Sequence, residues 1–324
     1  MKIEDIYKPV ISQLETVERK LAELPQVKDP AVADTLREAL GAGGKRLRPA
    51  LVLIAAKTCA YTGERAIRIA VVVELIHTAS LVHDDVLDNS DLRRGMPSGN
   101  VRWGNRMSIL LGDHLYAAAV KKMTEDENVE ILRSVATAVG EMTEGEIAQT
   151  LSRNDMEVTE EKYFSIIAGK TASLLSCSCR VGALLGTVRN GEVEILSDYG
   201  RNLGMAFQIT DDLLDITGRE DRLGKPLGND IREGRLTLPL IHTLNVAGKS
   251  DREWVKQNFG QGRLDGKSFA RMRDIVAGCG GIEYSLKKAE EFGRTCKQGL
   301  LSLEESACRD SLTLLADHVV ARVS

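Results

Sequence analysis

Two copies of one acidic pattern, each inside an apolar stretch, constrain the folding of this chain more than any other feature. Residues 84–88 read Asp-Asp-Val-Leu-Asp and residues 211–215 read Asp-Asp-Leu-Leu-Asp. On a helix, positions i and i+4 share a face and position i+1 lies about 100° away, so each copy presents three clustered carboxylates. Carboxylates crowded on a helix repel by roughly 0.2–0.5 kcal/mol per pair, a penalty that bound cations remove. Oxygen-only ligands favour a hard ion such as Mg²⁺.

A single acidic run on a helix is usually a solvated face, and that interpretation applies to either copy alone. Two copies with the same spacing and apolar neighbours argue against it, because surface helices rarely place their charges among such residues. The intervening sequence leaves room for several helices, so the copies can face each other across a bundle. Metal and ligand sites are often built that way.

The composition predicts an all-α protein with one domain over residues 1–324. Apolar residues make up 43% of the chain and recur at helical spacing, with only 7 prolines and no Ser/Pro-rich linker. The net charge of −4 lacks the basic excess of a nucleic-acid binder. No run of about 18 uncharged apolar residues predicts a membrane span, and the N-terminus lacks the apolar run of a signal peptide. Six cysteines without a Cys-x-x-Cys pair fit a reducing, cytoplasmic compartment.

Apolar spacing and the positions of glycine and proline locate the helices. The predicted helices cover about 3–23, 30–40, 49–62, 64–89, 105–123, 127–152, 159–188 with a break near Gly169, and 191–217. The acidic motifs end two of them. Residues 91–97 are predicted to form a loop, and residues 218–234, rich in glycine and charge, a functional lid.

Basic residues flank both acidic motifs. They form three groups: Lys45, Arg46 and Arg48 after a Gly-rich turn, Arg93 and Arg94 after the first motif, and Lys225 and Arg235 after the second. One such residue alone is usually a solvated surface charge. Because arginine binds phosphate through two hydrogen bonds, three groups beside acidic clusters predict a ligand with several phosphates and bound metal ions.

Longer segments around these residues resemble the trans-type isoprenyl diphosphate synthases, or polyprenyl synthetases, of the long-chain octaprenyl and heptaprenyl type. The matching segments are 43–49, 74–85, 93–95, 112–113, 145–149, 170–172, 207–215 and 224–239. They follow one another in the family's order. The resemblance implies the isoprenoid synthase fold, a helical bundle around a central cavity, and a homodimer.

The resemblance also implies a reaction. Isopentenyl diphosphate condenses with an allylic diphosphate, farnesyl or geranyl, after the allylic C–O bond ionises; a proton is then lost, and no side-chain nucleophile is needed. About three Mg²⁺ ions would neutralise the departing diphosphate. The implied metal ligands are Asp84, Asp88 and Asp211, supported by Asp85, Asp212 and Asp215.

Other roles carry over by matched position. Isopentenyl diphosphate would be bound by Lys45, Arg48, His77 and Arg94. The allylic diphosphate would be contacted by Arg93, Lys170, Lys225 and Arg235, and the cation region lined by Thr171 and Gln208. Arg235 departs from the family pattern, which commonly has lysine there; charge is kept, so altered geometry is expected and not lost function.

The length of the product is predicted from the residues one turn before the first motif. Ala79 and Ser80 are small, whereas in this family bulky aromatics at these positions resemble a floor that stops growth at short products. Ile76 and Met142 are expected farther along the tunnel. We therefore expect a long all-trans product of about C30–C40, with octaprenyl favoured, suited to a quinone side chain.

Several alternatives stay open. A short-chain farnesyl or geranylgeranyl diphosphate synthase and the catalytic subunit of a two-component synthase share the same motifs. A terpenoid cyclase would not need the residues expected to bind a second diphosphate, and a non-catalytic partner subunit should have eroded acidic motifs. The dipeptide His83-Asp84 also occurs in metal-dependent phosphohydrolases, but that interpretation leaves the second motif unexplained.

Overall fold

The structure is a computed structural model that describes residues 3–24, 27, 29–41, 44–93, 95–187, 191–218, 227–262 and 264–322. The predicted all-α class is confirmed. The helices are α1 (Ile3–Ile6), α2 (Ile11–Glu23), α3 (Pro30–Gly41), α4 (Leu47–Thr58), α5 (Arg65–Leu87), α6 (Gly99–Trp103), α7 (Asn105–Met123), α8 (Val129–Leu151), α9 (Glu160–Ile167), α10 (Ser173–Ala183), α11 (Glu192–Thr217), α12 (Asn229–Arg232), α13 (Leu238–Val246), α14 (Lys249–Asn258), α15 (Gly266–Gly278), α16 (Gly281–Leu300) and α17 (Ala307–Val320).

Some predicted boundaries were wrong. The helix predicted at 3–23 is interrupted by a 3₁₀ turn at Lys8–Val10, where Pro9 cannot donate a backbone hydrogen bond. The helix predicted to reach residue 62 ends at Thr58, because Ala60 takes a left-handed conformation at φ 58°. The predicted break near Gly169 is a π-helical segment, Ala168–Ala172, between α9 and α10.

The region predicted as a loop at 91–97 contains a small hairpin. Its strands, β1 (Leu92–Arg93) and β2 (Met96–Pro97), pair in antiparallel register. Gly95 turns the chain between them at φ 76°, a conformation that glycine adopts readily. The hairpin therefore returns the chain directly after the first acidic motif.

The chain folds into two compact units, each built from segments that are distant in sequence. Unit 1 comprises Met1–Val139, Leu174–Gly200 and Gly299–Leu315, and unit 2 comprises Gly140–Ser173, Arg201–Gln298 and Ala316–Ser324. The first acidic motif belongs to unit 1 and the second to unit 2. The single domain predicted over residues 1–324 stays a prediction.

Helix α5 is the core of unit 1. Every residue from Ala70 to Ile76 is buried, because the helix is apolar around most of its circumference. By length and composition α5 could cross a membrane, but 67% of its most apolar window is buried inside the protein, as in a core helix. Near its C-terminal end α5 packs closely on α7, where a Cβ added to Gly112 would collide with the His83 imidazole. This packing fixes the end of α5 that carries the acidic motif.

In unit 2 the second half of α11 provides the equivalent support. Its residues Met205, Ile209 and Leu213 recur at helical spacing and are buried in a core that includes α13 and α15. Fully burying such a side chain stabilises the fold by roughly 1.5–3 kcal/mol. The buried stripe fixes which carboxylates of residues 211–215 face inward.

Candidate active site

The three carboxylates of the first motif do not share one environment. Asp84 and Asp88 lie on one face of α5 and are half-buried, whereas Asp85 is buried with 3% of its surface exposed. The Nε of Arg93 donates to both carboxylate oxygens of Asp85, at 2.7 and 2.9 Å. Arg93 also donates to the carbonyl of Leu81 at 3.3 Å. Asp85 therefore positions Arg93, and Asp84 and Asp88 form the accessible pair.

The basic residues expected near isopentenyl diphosphate belong to unit 1. Lys45 is exposed just before α4, Arg48 lies in its first turn, and His77 precedes Asp84 by two turns on α5. Arg94 lies outside the described residues. The structure places His77 and Asp84 on the same helix face, because seven residues complete nearly two turns.

Arg46 does not behave as the phosphate-binding residue that its place in the basic group suggested. Its guanidinium donates to Glu74 at 2.6 Å, to Glu18 and to the carbonyl of Leu40 at 3.2 Å. Burial alone would lower the pKa of Arg46, but Glu18 and Glu74 outweigh it and the pKa is raised. Arg46 thus joins α2 to α5.

A cavity of about 480 Å³ lies beside the buried face of α5 in unit 1. It is lined by Arg46, Glu74, Asp85, Arg93 and Arg102, among others. Arg102 pairs with Glu38. The charged groups at this cavity are thus already paired within the protein.

The second motif is held by a chain of hydrogen bonds in unit 2. Tyr163 donates its hydroxyl to Asp212 at 2.6 Å, and Gln208 donates its amide to the other oxygen of Asp212 at 2.8 Å. Thr171 in turn donates to the amide oxygen of Gln208 at 2.7 Å. The two residues expected to line the cation region, Thr171 and Gln208, are therefore held in fixed orientations by Asp212.

Burial dominates the electrostatics of Asp212. It raises the pKa of this carboxyl well above its ordinary value, and the nearby carboxylate of Asp230 raises it further. Burial and Asp212 also raise the pKa of Tyr163, which keeps its hydroxyl a donor. A small cavity of about 50 Å³ borders Asp212, Asp230 and Arg235.

Asp215 anchors the far end of the predicted lid. Its carboxylate accepts the backbone N–H of Asp230 at 3.0 Å, and its own carbonyl accepts the N–H of Gly228 at 2.8 Å. Gly228 adopts φ 72°, which favours glycine. Residues 219–226, with Lys225, lie outside the described residues. Arg235 pairs with Glu233 and lies 3.9 Å from Asp230.

Lys170 lies on the π-helical segment, a conformation common at functional sites. Its Nζ is 2.5 Å from Glu146 and donates to the amide oxygen of Gln149 at 2.6 Å. Added Cβ atoms at Gly145 or Gly169 would collide with facing backbone, so α8 and the segment pack backbone to backbone. That close packing fixes where Lys170 emerges.

The residues expected to control product length differ in accessibility. Ile76 and Ala79 are buried, with 2% and 3% of their surfaces exposed. Ser80 and Met142 are half-buried, and the Ser80 hydroxyl donates to the carbonyl of His77 at 2.8 Å. Ser80 is therefore more accessible than Ala79.

The carboxylates fit Mg²⁺, the metal that the resemblance implies. Asp84, Asp88 and Asp211 are half-buried, and Mg²⁺ usually binds one or two carboxylates and completes its shell with water and substrate phosphate. Among the residues that the structure describes, no group of three or more His, Cys, Asp or Glu side chains is gathered to hold an ion.

Four residues of this neighbourhood were not given a role by the sequence. Glu146 stood in a matching segment without an assigned function, and no motif singled out Tyr163. Asp230 likewise stood in the matching segment 224–239, and Arg322 carried no local signal. Arg322 lies 2.7 Å from Asp211, which is 38% exposed.

Comparison with known proteins agrees with these features. The polyprenyl synthetase family profile matches residues 29–276. An octaprenyl diphosphate synthase from Escherichia coli (strain K12) is 37% identical over 281 residues, 86% of each chain. A short chain isoprenyl diphosphate synthase from Methanothermobacter thermautotrophicus is 38% identical over 285 residues, 87% of each.

The fold agrees as well. The crystal structure of a polyprenyl synthase from Caulobacter crescentus CB15, complexed with calcium and isoprenyl diphosphate, superposes with a TM-score of 0.93 at 34% identity. The match covers 100% of this chain and 98% of that one. The predicted isoprenoid synthase fold is thereby confirmed.

Proposed function

This chain belongs to the polyprenyl synthetase family of prenyltransferases, and from that premise we propose a long-chain, Mg²⁺-dependent synthase. It would condense isopentenyl diphosphate with farnesyl or geranyl diphosphate and release an all-trans polyprenyl diphosphate, for use as a quinone side chain. The observation that carries the proposal is the bidentate Asp85–Arg93 pair beside the accessible Asp84 and Asp88. It sets a fixed guanidinium next to carboxylates suited to a metal ion, the two kinds of group that a diphosphate requires.

Catalysis in this proposal is positioning and electrostatics. Mg²⁺, when bound, would neutralise the diphosphate and so make it a leaving group. Arg93 and Lys170 would each bind diphosphate oxygens. Each is pre-oriented by a carboxylate of its own unit, Asp85 for Arg93 and Glu146 for Lys170. Such preorganisation reduces the reorganisation required as negative charge develops on the departing diphosphate.

Thr171 and Gln208 would serve the carbocation that remains. The Gln208 amide is fixed at both ends, by Thr171 and by Asp212, so its dipole cannot turn away as the charge develops. The double bond of isopentenyl diphosphate, held by Lys45, Arg48, His77 and Arg94, attacks the cation. The proton lost afterwards passes to the released diphosphate, which makes a dedicated side-chain base unnecessary.

We propose a product of about C30–C40 because small residues stand where a floor would be. The relatives carry both octaprenyl and short-chain names, so family membership alone does not fix the length. The test incubates the purified protein, expressed alone, with farnesyl diphosphate, isopentenyl diphosphate and Mg²⁺, and chromatographs the dephosphorylated products. A C15 or C20 end product would replace the proposal with the short-chain alternative, and inactivity of the single chain would favour a two-component synthase.

Substitutions at Ser80 test whether this face of α5 lines the product tunnel. Ser80→Phe puts a ring where the half-buried hydroxyl lies and should shorten the product, whereas Ser80→Ala should leave its length unchanged. Unchanged length in Ser80→Phe would show that this face of α5 does not line the tunnel.

The proposed assembly is a homodimer. On α7 the apolar residues Ile109, Tyr116 and Val120 share a face and are 45%, 39% and 41% exposed, and Leu110 beside them is 62% exposed. An apolar helix face of this kind is typical of a protein interface. Multi-angle light scattering should give the mass of two chains, and Leu110→Glu should shift it toward one; a monomeric wild type would contradict the proposal. A cytoplasmic location is proposed on composition alone.

A further inference from the structure

We propose that Arg322 is a built-in counter-cation of Asp211, which it must release when a divalent ion binds there. The inference rests on the proposed metal-dependent function and adds a residue that none of the family segments includes. It makes the C-terminal end of α17 part of the second metal site, as a competitor of the metal and not as a ligand.

The guanidinium of Arg322 is fixed by two contacts on α11. Its Nη1 lies 2.7 Å from Oδ1 of Asp211, and its Cζ lies 5.0 Å from the centre of the Phe207 ring. Phe207 and Asp211 are four residues apart, so they share a helix face. The Arg322 side chain is 20% exposed. A cation held between a ring face and a carboxylate is oriented by both.

The position of Arg322 follows from how α17 packs on α16. Lys297 pairs with Asp317 at 2.6 Å, and a Cβ added to Gly293 would come within 2.9 Å of Val320. These contacts hold the last turn of α17 against α16, and Arg322 follows two residues after its end. The chain end is therefore directed to α11 by helix packing, and the ion pair with Asp211 completes the contact.

Asp211 differs from the carboxylate that holds Arg93 in unit 1 and from the one that holds Lys170 in unit 2. Arg93 and Lys170 pair with Asp85 and Glu146, which position them and are not the accessible metal ligands of the proposal. Asp211 is 38% exposed and stands first in the second motif. A guanidinium in contact with this carboxylate weakens its attraction for a second cation, since the two cations repel. Metal binding at Asp211 and release of Arg322 are then linked.

The test measures metal affinity without turnover. Mn²⁺ is titrated into the full chain and followed by electron paramagnetic resonance, with and without inorganic pyrophosphate. Arg322→Gln should bind Mn²⁺ about 2- to 10-fold more tightly than the wild type, and Arg322→Lys should stay near it. Arg309→Gln makes the same charge change near the N-terminal end of α17, where its partner Glu305 is exposed, and should match the wild type.

A second measurement needs no variant. Hydrogen exchange in residues 316–322 of the wild type should become faster when Mn²⁺ and pyrophosphate are added, because Arg322 leaves Asp211. The inference alone would be overturned if Arg322→Gln bound Mn²⁺ no more tightly than the wild type and hydrogen exchange in residues 316–322 did not change. If Arg322→Gln bound Mn²⁺ more weakly than the wild type, and only in the presence of pyrophosphate, the inference would be overturned in favour of direct contact between Arg322 and the diphosphate. No Mn²⁺ bound by the wild type under either condition would overturn the proposed metal site as well.

Discussion

Arg93 and Asp85 form a bidentate ion pair, with the Nε of Arg93 at 2.7 and 2.9 Å from the two carboxylate oxygens and Nη2 at 2.6 Å from one of them. Asp85 is buried, and Arg93 reaches it from the hairpin that follows α5. This pair separates the roles of three neighbouring aspartates. One aspartate orients the arginine proposed to bind phosphate, and the other two are the candidate ligands of a metal ion.

Asp85→Asn and Asp88→Asn should therefore fail in different ways. Asp85→Asn removes the charge that holds Arg93. Loss of a charge-assisted hydrogen bond worth about 1.5–3 kcal/mol should then raise KM for the allylic diphosphate roughly 10- to 100-fold. The second removes a metal ligand and should raise the Mg²⁺ concentration needed for half-maximal rate. Steady-state kinetics at varied Mg²⁺ distinguishes them. An equal Mg²⁺ requirement in both variants would contradict the separation of roles.

Tyr163→Phe should destabilise unit 2 because it leaves the buried carboxylate of Asp212 without one of its donors. The expected loss is about 1–3 kcal/mol in the free energy of unfolding, measured in urea. Adding Asp212→Asn should recover part of it above about pH 8, where the buried carboxyl is charged, because burial raises the pKa of Asp212 to about 8. Tyr284→Phe is the matched control: it removes the same atom from a half-buried pair with Glu160 and should cost less. Equal losses in both tyrosine variants would argue that Asp212 does not depend on its donor.

The helices of the site could be predicted from the sequence because their signals are local. Apolar spacing located α5, α7 and α11 to within a few residues. Gly169 marked a break in the predicted helix, and the structure has the π-helical segment at that position. The family segments then assigned the proposed functional residues along these helices in order.

The environments of individual carboxylates could not be predicted. The helical spacing placed three aspartates together in each motif, but burial depends on which face of the helix meets the core, and this needs the packed structure. Asp212 and Asp85 are buried and paired, whereas Asp211 is 38% exposed. The sequence pattern of the two motifs is the same, so only tertiary packing distinguishes their members.

Long-range ion pairs could not be predicted from the sequence either. Arg46 stood in a basic group beside a Gly-rich turn, and the structure directs it to Glu18 and Glu74. Arg322 meets Asp211 because α17 packs on α16. Each pairing joins segments far apart in the chain, and no local pattern encodes it.

The Asp126 carboxylate should contribute to the free energy of unfolding at neutral pH, and this contribution should be lost at acidic pH. Burial alone raises the pKa of this carboxyl, but hydrogen bonds from Arg65, the backbone of Asn128 and Arg68 outweigh it and lower the pKa. Because the folded-state pKa lies below the unfolded value, the contribution is present above about pH 4 and is lost as pH falls through the folded-state pKa.

Asp126→Asn should remove about 1–2 kcal/mol at pH 7, a modest value because Arg65 is 40% exposed. The difference from the wild type should shrink as pH falls toward about 2. Urea unfolding across this range measures it. Glu125→Gln, which alters the neighbouring, exposed residue 3.9 Å from Arg68, should leave the profile unchanged. A constant difference at every pH would show that Asp126 acts by packing and not by charge.

Gly112 and His83 should prove coupled, because they define how closely α5 and α7 approach. The His83 ring occupies the place that a Cβ on residue 112 would need, and its Nε2 lies 3.1 Å from the carbonyl of Ile109. Gly112→Ala should cost about 1–3 kcal/mol through overpacking. In the double variant with His83→Ala the ring is gone, so the two losses in the free energy of unfolding should not add. The control Gly140→Ala places a Cβ in open space on a helix and should stabilise the protein or be neutral. Additive losses would mean that the two helices can move apart, and that the end of α5 with Asp84 is not held by α7.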